Sequence, residues 1–248
     1  MIILITGAST GLGALIAQQL LLQDESNVVI NLDIALDFPG HPRMKTIICD
    51  VGNAKDVQKA ADEVGNVDII INNAGVNRID FLETFTEANW DLVMDTNAKG
   101  IFLVCKLFLR HMGKGMEWKD GFGGPTILNI VSNAAHMPMT SSLAYNASKA
   151  AAHIMTLQLA RELKPKFNID VFGIAPNRLS GTHMSSDIDE QVVKTRGWTP
   201  EYAREYQLNA LAAGEETDPK SLAEFIGFLL STKKRHKYLV GTIIPYGK

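Results

Sequence analysis

Ile2-Ile3-Leu4-Ile5-Thr6-Gly7-Ala8-Ser9-Thr10-Gly11-Leu12-Gly13 is the stretch from which the rest of the chain can be read. Ile2 to Ile5 is continuously apolar and rich in β-branched residues, the pattern of a strand buried on both faces. After Gly13, an Ala/Leu/Gln run continues to Gln23 with helical periodicity. Strand, glycine turn and helix N-terminus in this order make a phosphate site. The glycines let the backbone approach closely, and the first-turn N–H groups and the helix dipole attract an anion. A lone glycine triplet carries little information, but its place between strand and helix is the confirming context.

Further apolar runs follow the same plan. Val28 to Leu32 predicts a second strand, ending at Asp33, twenty residues after Gly13. An acidic residue at that offset can accept both hydroxyls of an adenosine ribose and would repel a 2′-phosphate. With no Arg or Lys in the glycine loop or immediately after Asp33, the cofactor expected is NAD rather than NADP. A plain acidic turn residue is the alternative. Met44 to Cys49 is a third strand, leading to Asp50-Val51, where the carboxylate either bonds an adenine amino group or caps a helix. A short helix is expected over Asp56 to Val64 and a fourth strand over Val67 to Ile71. Asn72-Asn73-Ala74-Gly75 comes next, either a site of close ligand approach or an ordinary turn.

Thr86 to about Met112 predicts one long helix with Trp90, Val93, Met94, Ile101, Val104 and Phe108 on its apolar stripe. Asn97 falls within that stripe; a buried amide there caps a kink or holds a water. Gly113 to Gly124, with Lys114, Trp118 and Lys119, reads as a surface loop. Thr126 to Val131 is a fifth strand ending at Ser132. Leu143 to Leu163 reads as a helix and Ile169 to Ile174 as a sixth strand. Residues 179–214 form a long stretch of weak pattern, with a helix start at Thr199-Pro200, and are expected to be a substrate lid. Asp218-Pro219 opens another helix as N-cap and first residue, and Tyr238 to Ile244 is the last strand. Strands alternating with helices imply an α/β fold: one doubly wound, Rossmann-type domain over residues 1–248. Its parallel seven-stranded sheet carries helices on both faces, with the ligand at the carboxyl edge.

Within the Leu143 helix, Tyr145 and Lys149 are four residues apart and share a face. A phenol ordinarily titrates near 10, and a neighbouring ammonium favours the phenolate, lowering that value toward the working range. Such a hydroxyl could exchange a proton with an alcohol or carbonyl oxygen. Taken alone, the spacing also fits an ordinary exposed pair.

Composition sets the bounds. The chain has 248 residues, 46% of them hydrophobic and 21% charged, with a net charge of −3. That favours neither nucleic acid nor an anionic membrane as partner. The first apolar run is too short for a signal peptide, and no run reaches the roughly 20 residues of a membrane span. Cys49 and Cys105 read as buried free thiols in a reducing compartment, so the cytoplasm is the expected location. The six histidines show no metal-ligand spacing with cysteine, and no metal is expected.

Taken together, Thr6-Gly7-x-x-x-Gly11-x-Gly13, Asp33, Asp50-Val51, Asn72-Asn73-Ala74-Gly75, Asn97, Ser132 and Tyr145-x-x-x-Lys149 resemble the short-chain dehydrogenases/reductases. The likeness is to their branch of about 250 residues. Ser132 stands thirteen residues before Tyr145, as in that family. The resemblance implies an oxidoreductase interconverting a secondary alcohol and a ketone with NAD, acting as a homodimer or homotetramer. It implies a tetrad of Asn97, Ser132, Tyr145 and Lys149. Tyr145 would be the general acid/base and Ser132 the partner of the reacting oxygen. Lys149 would tune the tyrosine and hold the nicotinamide ribose, and Asn97 would anchor a water in a proton relay. Cofactor contacts would come from Gly7, Ser9, Thr10, Gly11, Leu12, Gly13, Asp33, Asp50, Val51, Asn73, Ala74, Gly75, Tyr145, Lys149, Pro176 and Leu179.

The chain departs from the pattern at Pro176-Asn177, where the family usually has Pro-Gly, and at Thr182, one residue late. Its ending, Gly241 to Lys248, lacks the common Asp-Gly-Gly. Asn177 tolerates unusual backbone angles and would place an amide beside the nicotinamide. His136 is a surface histidine or a substrate contact, grouped with Met137, Met139 and Met184; His153 reads as structural. Two other functions compete: a non-oxidative epimerase or dehydratase of the same fold, and a catalytically silent dinucleotide-binding protein.

Overall fold

A computed structural model of the chain describes residues 1–36, 40–113, 125–211, 213–231 and 238–247. The loop expected at Gly113 to Gly124 lies, except for Gly113, outside the described residues. The apolar runs become strands β1 (Ile2–Thr6), β2 (Val28–Asp33), β3 (Met44–Ile48), β4 (Ile69–Asn72), β5 (Thr126–Ile130), β6 (Asp170–Pro176) and β7 (Ile243–Tyr246). They pair in parallel in one seven-stranded sheet of order β3-β2-β1-β4-β5-β6-β7. The strand order reverses between β1 and β4, which opens a crevice at the carboxyl ends of those strands. Because Ile5 is level with Ile71, the turn after β1 lies beside the turn after β4.

Successive residues of β1 point to opposite faces. Ile3 and Ile5 pack with Ile16, Leu20, Phe172, Leu222 and Ile226, under helices α1 (Gly11–Gln23) and α8 (Pro219–Ser231). Leu4 packs with Val57, Ile70, Val104, Phe108, Ile127 and Ala152 on the other face. That face is covered by α2 (Ala54–Val64), α4 (Gly100–Phe108) and α5 (Leu143–Phe167). Burial on both sides explains the lack of polar alternation in the strands. Each such fully buried side chain contributes about 1.5–3 kcal/mol. The expected doubly wound sheet with helices on both faces is observed.

Four expectations change. The long helix is interrupted: α3 (Glu87–Met94) is followed by a π-helical segment, Asp95–Lys99, before α4, and a 3-10 turn, Leu109–His111, closes it. A π segment places an extra residue in one turn and re-aims the side chains on either side. Val93, Ile101, Val104 and Phe108 stay buried, while Trp90 faces out. Residues 179–214 hold two helices: α7 (Pro200–Asn209) begins at the expected Thr199-Pro200, while α6 (His183–Arg196) was not expected. They bury few side chains, Ser185 and Val192 in α6 and Ala203 in α7, so an apolar stripe is hard to see in the sequence. The last strand begins at Ile243, not Tyr238, after Gly241 turns the chain at φ 72°. Finally, α2 starts at Ala54, with Asn53 as its cap.

Candidate active site

The glycine turn divides its labour. Gly7 has φ 69°, and a Cβ there would lie 2.9 Å from the Ala74 Cα. At Gly13 a Cβ would sit 2.2 Å from the Gly7 oxygen and 2.6 Å from Asn73 Nδ2, so Gly13 serves close helix–strand packing. Gly11, at φ 57°, faces open space. Thr10 occupies the N-cap of α1 without capping it, and the first turn holds no acidic residue. The positive end of α1 therefore meets no side chain beside an open glycine, a fit for a phosphate. Leu12 is buried in the core, which leaves only its backbone at the turn.

The residues around this turn hold it in shape. Ser9 N–H donates to Asp33 Oδ2 at 2.9 Å, and Ile34 N–H donates to Asp33 Oδ1 at 2.8 Å. Ala35 N–H adds a longer contact to Oδ1 at 3.4 Å, and since a carboxylate offers about four acceptor sites, Asp33 keeps capacity for a ribose hydroxyl. The Ser9 hydroxyl donates to Ala35 O at 2.8 Å and so belongs to the scaffold. Asn31, unnoticed in the sequence, is fully buried and accepts from Ala8 N–H at 2.8 Å while donating to Ser9 Oγ at 3.1 Å. Its only signal was an amide inside an apolar strand. Thr6 Oγ1 accepts from the N–H groups of Asn73 (3.0 Å) and Ala74 (2.9 Å), and Asn73 Nδ2 donates to Thr6 O and Gly7 O. The Asn73 amide thus ties the turn after β4 to the glycine turn.

At the end of β3, Asp50 is exposed and accepts from Gly52 N–H at 2.9 Å. It is not the helix cap: Asn53 Oδ1 takes that role from Lys55 N–H at 2.9 Å. Val51 is buried, and a Cβ on Gly100 would lie 2.9 Å from its Cγ2, so its side chain is core.

Asn97 sits in the π segment, 1% exposed. Its Oδ1 accepts from Val76 N–H at 2.8 Å, and its Nδ2 donates to Val76 O at 2.9 Å and Ser148 Oγ at 3.0 Å. The kink and the amide explain each other, since the extra residue turns Asn97 onto the strand-end loop. Ser148 donates in turn to Tyr145 O at 2.8 Å, joining α5 to that loop. It was missed, although a serine inside Tyr145-x-x-x-Lys149 was visible. Gly75 lies in the same place: a Cβ on it would be 3.4 Å from Asn97 Oδ1 and 3.7 Å from Lys149 Nζ.

Ser132 follows β5; its Oγ accepts from Ala134 N–H at 3.1 Å, and its hydroxyl lies close enough to the Tyr145 phenol to draw that group's pKa down. Lys149 is buried, its Nζ 5.8 Å from the Tyr145 ring centre and donating to Ile130 O at 3.0 Å. The electrostatics correct the expectation. Burial pushes the phenol above its ordinary value, with only the nearby Ser132 hydroxyl pulling it back. Burial likewise lowers Lys149 from 10.5 to about 8. Desolvation disfavours both charged forms, and it outweighs the attraction expected from helical spacing.

Beyond β6, Asn177 has no positive φ. Its Nδ2 donates to Gly247 O at 3.0 Å and its Oδ1 accepts from Arg178 N–H at 2.9 Å, so the amide holds the C-terminal segment. Leu179 bridges to Thr217, and Thr182 caps α6. Arg178, also missed, pairs with Glu216 and, at 2.7 Å, with Asp189 of α6. His136 Nε2 lies 3.0 Å from His153 Nδ1. Burial and the facing His136 lower His153. Among the described residues no group of three His, Cys, Asp or Glu side chains could hold a metal ion.

The family profile described as short chain dehydrogenase matches residues 1–193. A 3-oxoacyl-(acyl-carrier-protein) reductase of Thermotoga maritima is 30% identical over 97% of this chain and 94% of its own. An NAD-dependent glycerol dehydrogenase of Listeria innocua is 32% identical over 69% of this chain and 68% of its own. Among solved structures, a short chain dehydrogenase family protein from Francisella tularensis superposes with a TM-score of 0.84 at 24% identity, covering 98% and 96% of the two chains. The chain belongs to the short-chain dehydrogenase/reductase family and is an oxidoreductase of that family.

Proposed function

We propose that this enzyme interconverts a secondary alcohol and a ketone with NAD(H), using Tyr145 as the proton carrier. The observation that carries the reading is the meeting of three groups at the carboxyl edge of the sheet: the Ser132 hydroxyl beside the Tyr145 phenol, and Lys149 Nζ on the same helix 5.8 Å from the Tyr145 ring centre. Gly11, the open end of α1 and Asp33 would hold the dinucleotide, with Gly75 and Lys149 toward its nicotinamide end. When bound, it supplies the hydride acceptor or donor. Ser132 then holds the substrate oxygen, and Tyr145 takes its proton in oxidation and returns one in reduction. Asn97 would anchor the water through which the proton leaves.

The choice of NAD is supported by the fixed Asp33 carboxylate and by Arg43, whose guanidinium is engaged by the carbonyls of Leu21, Asp24 and Asn27. The Listeria relative carries NAD dependence in its name. Helices α6 and α7 would be the substrate lid of a single domain. Exposed Phe102, Leu143 and Ile154 support assembly as a homodimer or homotetramer, and the free thiols of Cys49 and Cys105 a cytoplasmic site.

The test is a panel of secondary alcohols and ketones followed by NADH absorbance, with NADP(H) in parallel. Tyr145→Phe is expected to abolish turnover while calorimetry shows NAD binding retained. Retained turnover would overturn the role of Tyr145. Binding without turnover by the native protein would point to a silent dinucleotide-binding protein, and turnover without NADH release to a non-oxidative enzyme.

A further inference from the structure

Helices α6 and α7 are docked on two loops that belong to the site. The first follows β4. Ile79 N–H donates to Gln191 Oε1 at 2.9 Å, Thr195 Oγ1 donates to Ile79 O at 3.2 Å, and Ile79 is buried with Val192 and Ala203. The second follows Ser132 and leads into α5, and only Arg196, the last residue of α6, bonds to it from the lid among the described residues. Its guanidinium stacks 4.8 Å from the Trp198 ring centre and 5.9 Å from that of Tyr206. From that stack Nη2 donates to Thr140 O at 2.5 Å and Nε to Ser141 Oγ at 3.3 Å.

The residue it grips is strained. Ser141 has φ 61°, a left-handed conformation that side chains other than glycine rarely adopt. Its carbonyl accepts from Asp80 N–H at 2.9 Å, so both loops meet at this turn. Ser142 comes next: it is buried and stands at the N-cap of α5 without capping it by side chain. Tyr145 lies in the first turn of that helix. Among the described residues Arg196 has no carboxylate partner. A planar fork stacked on aromatic rings is suited to hold a carbonyl and a hydroxyl in fixed directions.

We propose that Arg196 is a positioning residue, latching the lid onto the Thr140-Ser141 turn and thereby setting where α5 presents Tyr145. The proposal rests on the reading of Tyr145 as proton carrier and extends it to the lid. Without the fork, the left-handed turn relaxes and the phenol loses its register with Ser132.

The full-length protein is tested as Arg196→Ala, Arg196→Lys and the double variant Arg196→Ala/Ser141→Gly, using the best alcohol from the panel. Both single variants are expected to lower kcat about tenfold, the scale of one lost hydrogen bond from a charged donor. Their NAD affinity by calorimetry should match the native protein. Glycine accepts the left-handed turn without strain, so the double variant should regain much of the lost kcat. Amide exchange in the cofactor-free protein should quicken over residues 137–146 in Arg196→Ala and stay unchanged in β1. A kcat within twofold of native, or a loss that glycine at 141 does not relieve, overturns the latch. If the native protein turns over nothing in the panel, the dehydrogenase reading fails instead. Unchanged exchange over 137–146 would then refute the latch separately.

Discussion

Replacing Lys149 by methionine should destroy turnover and yet make the cofactor-free protein more stable. Lys149 is 5% exposed, and burial draws its pKa from 10.5 to about 8. At about 1.4 kcal/mol per pH unit, that gap is about 3 kcal/mol of destabilisation from holding an ammonium in the interior. Below pH 8 the ammonium is charged in both the folded and unfolded chain, so the whole cost is present at neutrality. Between pH 8 and 10.5 the unfolded chain holds a proton that the folded protein has released, and native stability therefore rises with pH. Methionine fills a similar volume without charge, but it abandons the 3.0 Å hydrogen bond to Ile130 O. A carbonyl left unpaired costs about 1–2 kcal/mol. The balance at pH 7 is about 1–2 kcal/mol in favour of Lys149→Met, a rise in Tm of about 5 °C for a chain of this size. Urea unfolding of the cofactor-free proteins at pH 7, 9 and 10 is the assay. The advantage should shrink across that series and end near zero or slightly negative. A variant less stable than native at pH 7, or a difference that does not change with pH, would refute the reasoning.

Asp33→Ser should shift preference toward NADP by about a hundredfold in the ratio of kcat/KM values, the worth of one charge-assisted hydrogen bond removed together with a repulsion. An unchanged ratio would remove Asp33 from the cofactor site. Gly13→Ala should cost about 1–3 kcal/mol of stability, because its Cβ would sit 2.2 Å from the Gly7 oxygen. Gly11→Ala, with open space but φ 57°, should cost about 1 kcal/mol and chiefly weaken NAD binding. Thermal melts and calorimetry separate the two, and equal losses in both measurements would count against the division of labour. Ser132→Ala removes the neighbouring hydroxyl that draws the half-buried phenol down. The rise of alcohol oxidation with pH should therefore move to higher pH, with a loss of about tenfold or more at pH 7. A pH profile with an unmoved limb would show that Ser132 does not tune Tyr145.

Some of this was legible in the chain because the signals are local. The apolar runs, the glycine turn ahead of α1, Asp33 at the end of β2 and Asp218-Pro219 at the start of α8 each declare themselves within a few residues. Asn97 was visible as an amide on an apolar stripe, but the π segment that carries it was not. That segment exists because the amide must meet Val76 and Ser148, one before the helix and one far beyond it. Helix α6 escaped notice, and of α7 only its Thr199-Pro200 start was legible, because both bury few side chains and present no clear stripe. Arg178 and Arg196 carried no signal of their own in the sequence; only their partners, Glu216 and Asp189 for one and Thr140 and Ser141 for the other, give them roles. The pairing of His136 with His153 was equally out of reach, since it joins a loop to the outer face of α5.

The sequence by itself determined the alternation of strands and helices and the glycine turn ahead of α1, and through the family resemblance it pointed to Ser132, Tyr145 and Lys149 as one set. Periodicity and turn chemistry act between near neighbours, so residue order is enough to read them. Tertiary structure alone decided how strongly those groups hold their protons and which side chains aim them. Desolvation depends on everything packed around a group, and the packing against Tyr145 and Lys149 comes from strands and helices far away along the chain. Helical spacing predicted a phenol drawn down by its neighbour; the interior, by excluding water from both, drives it the other way.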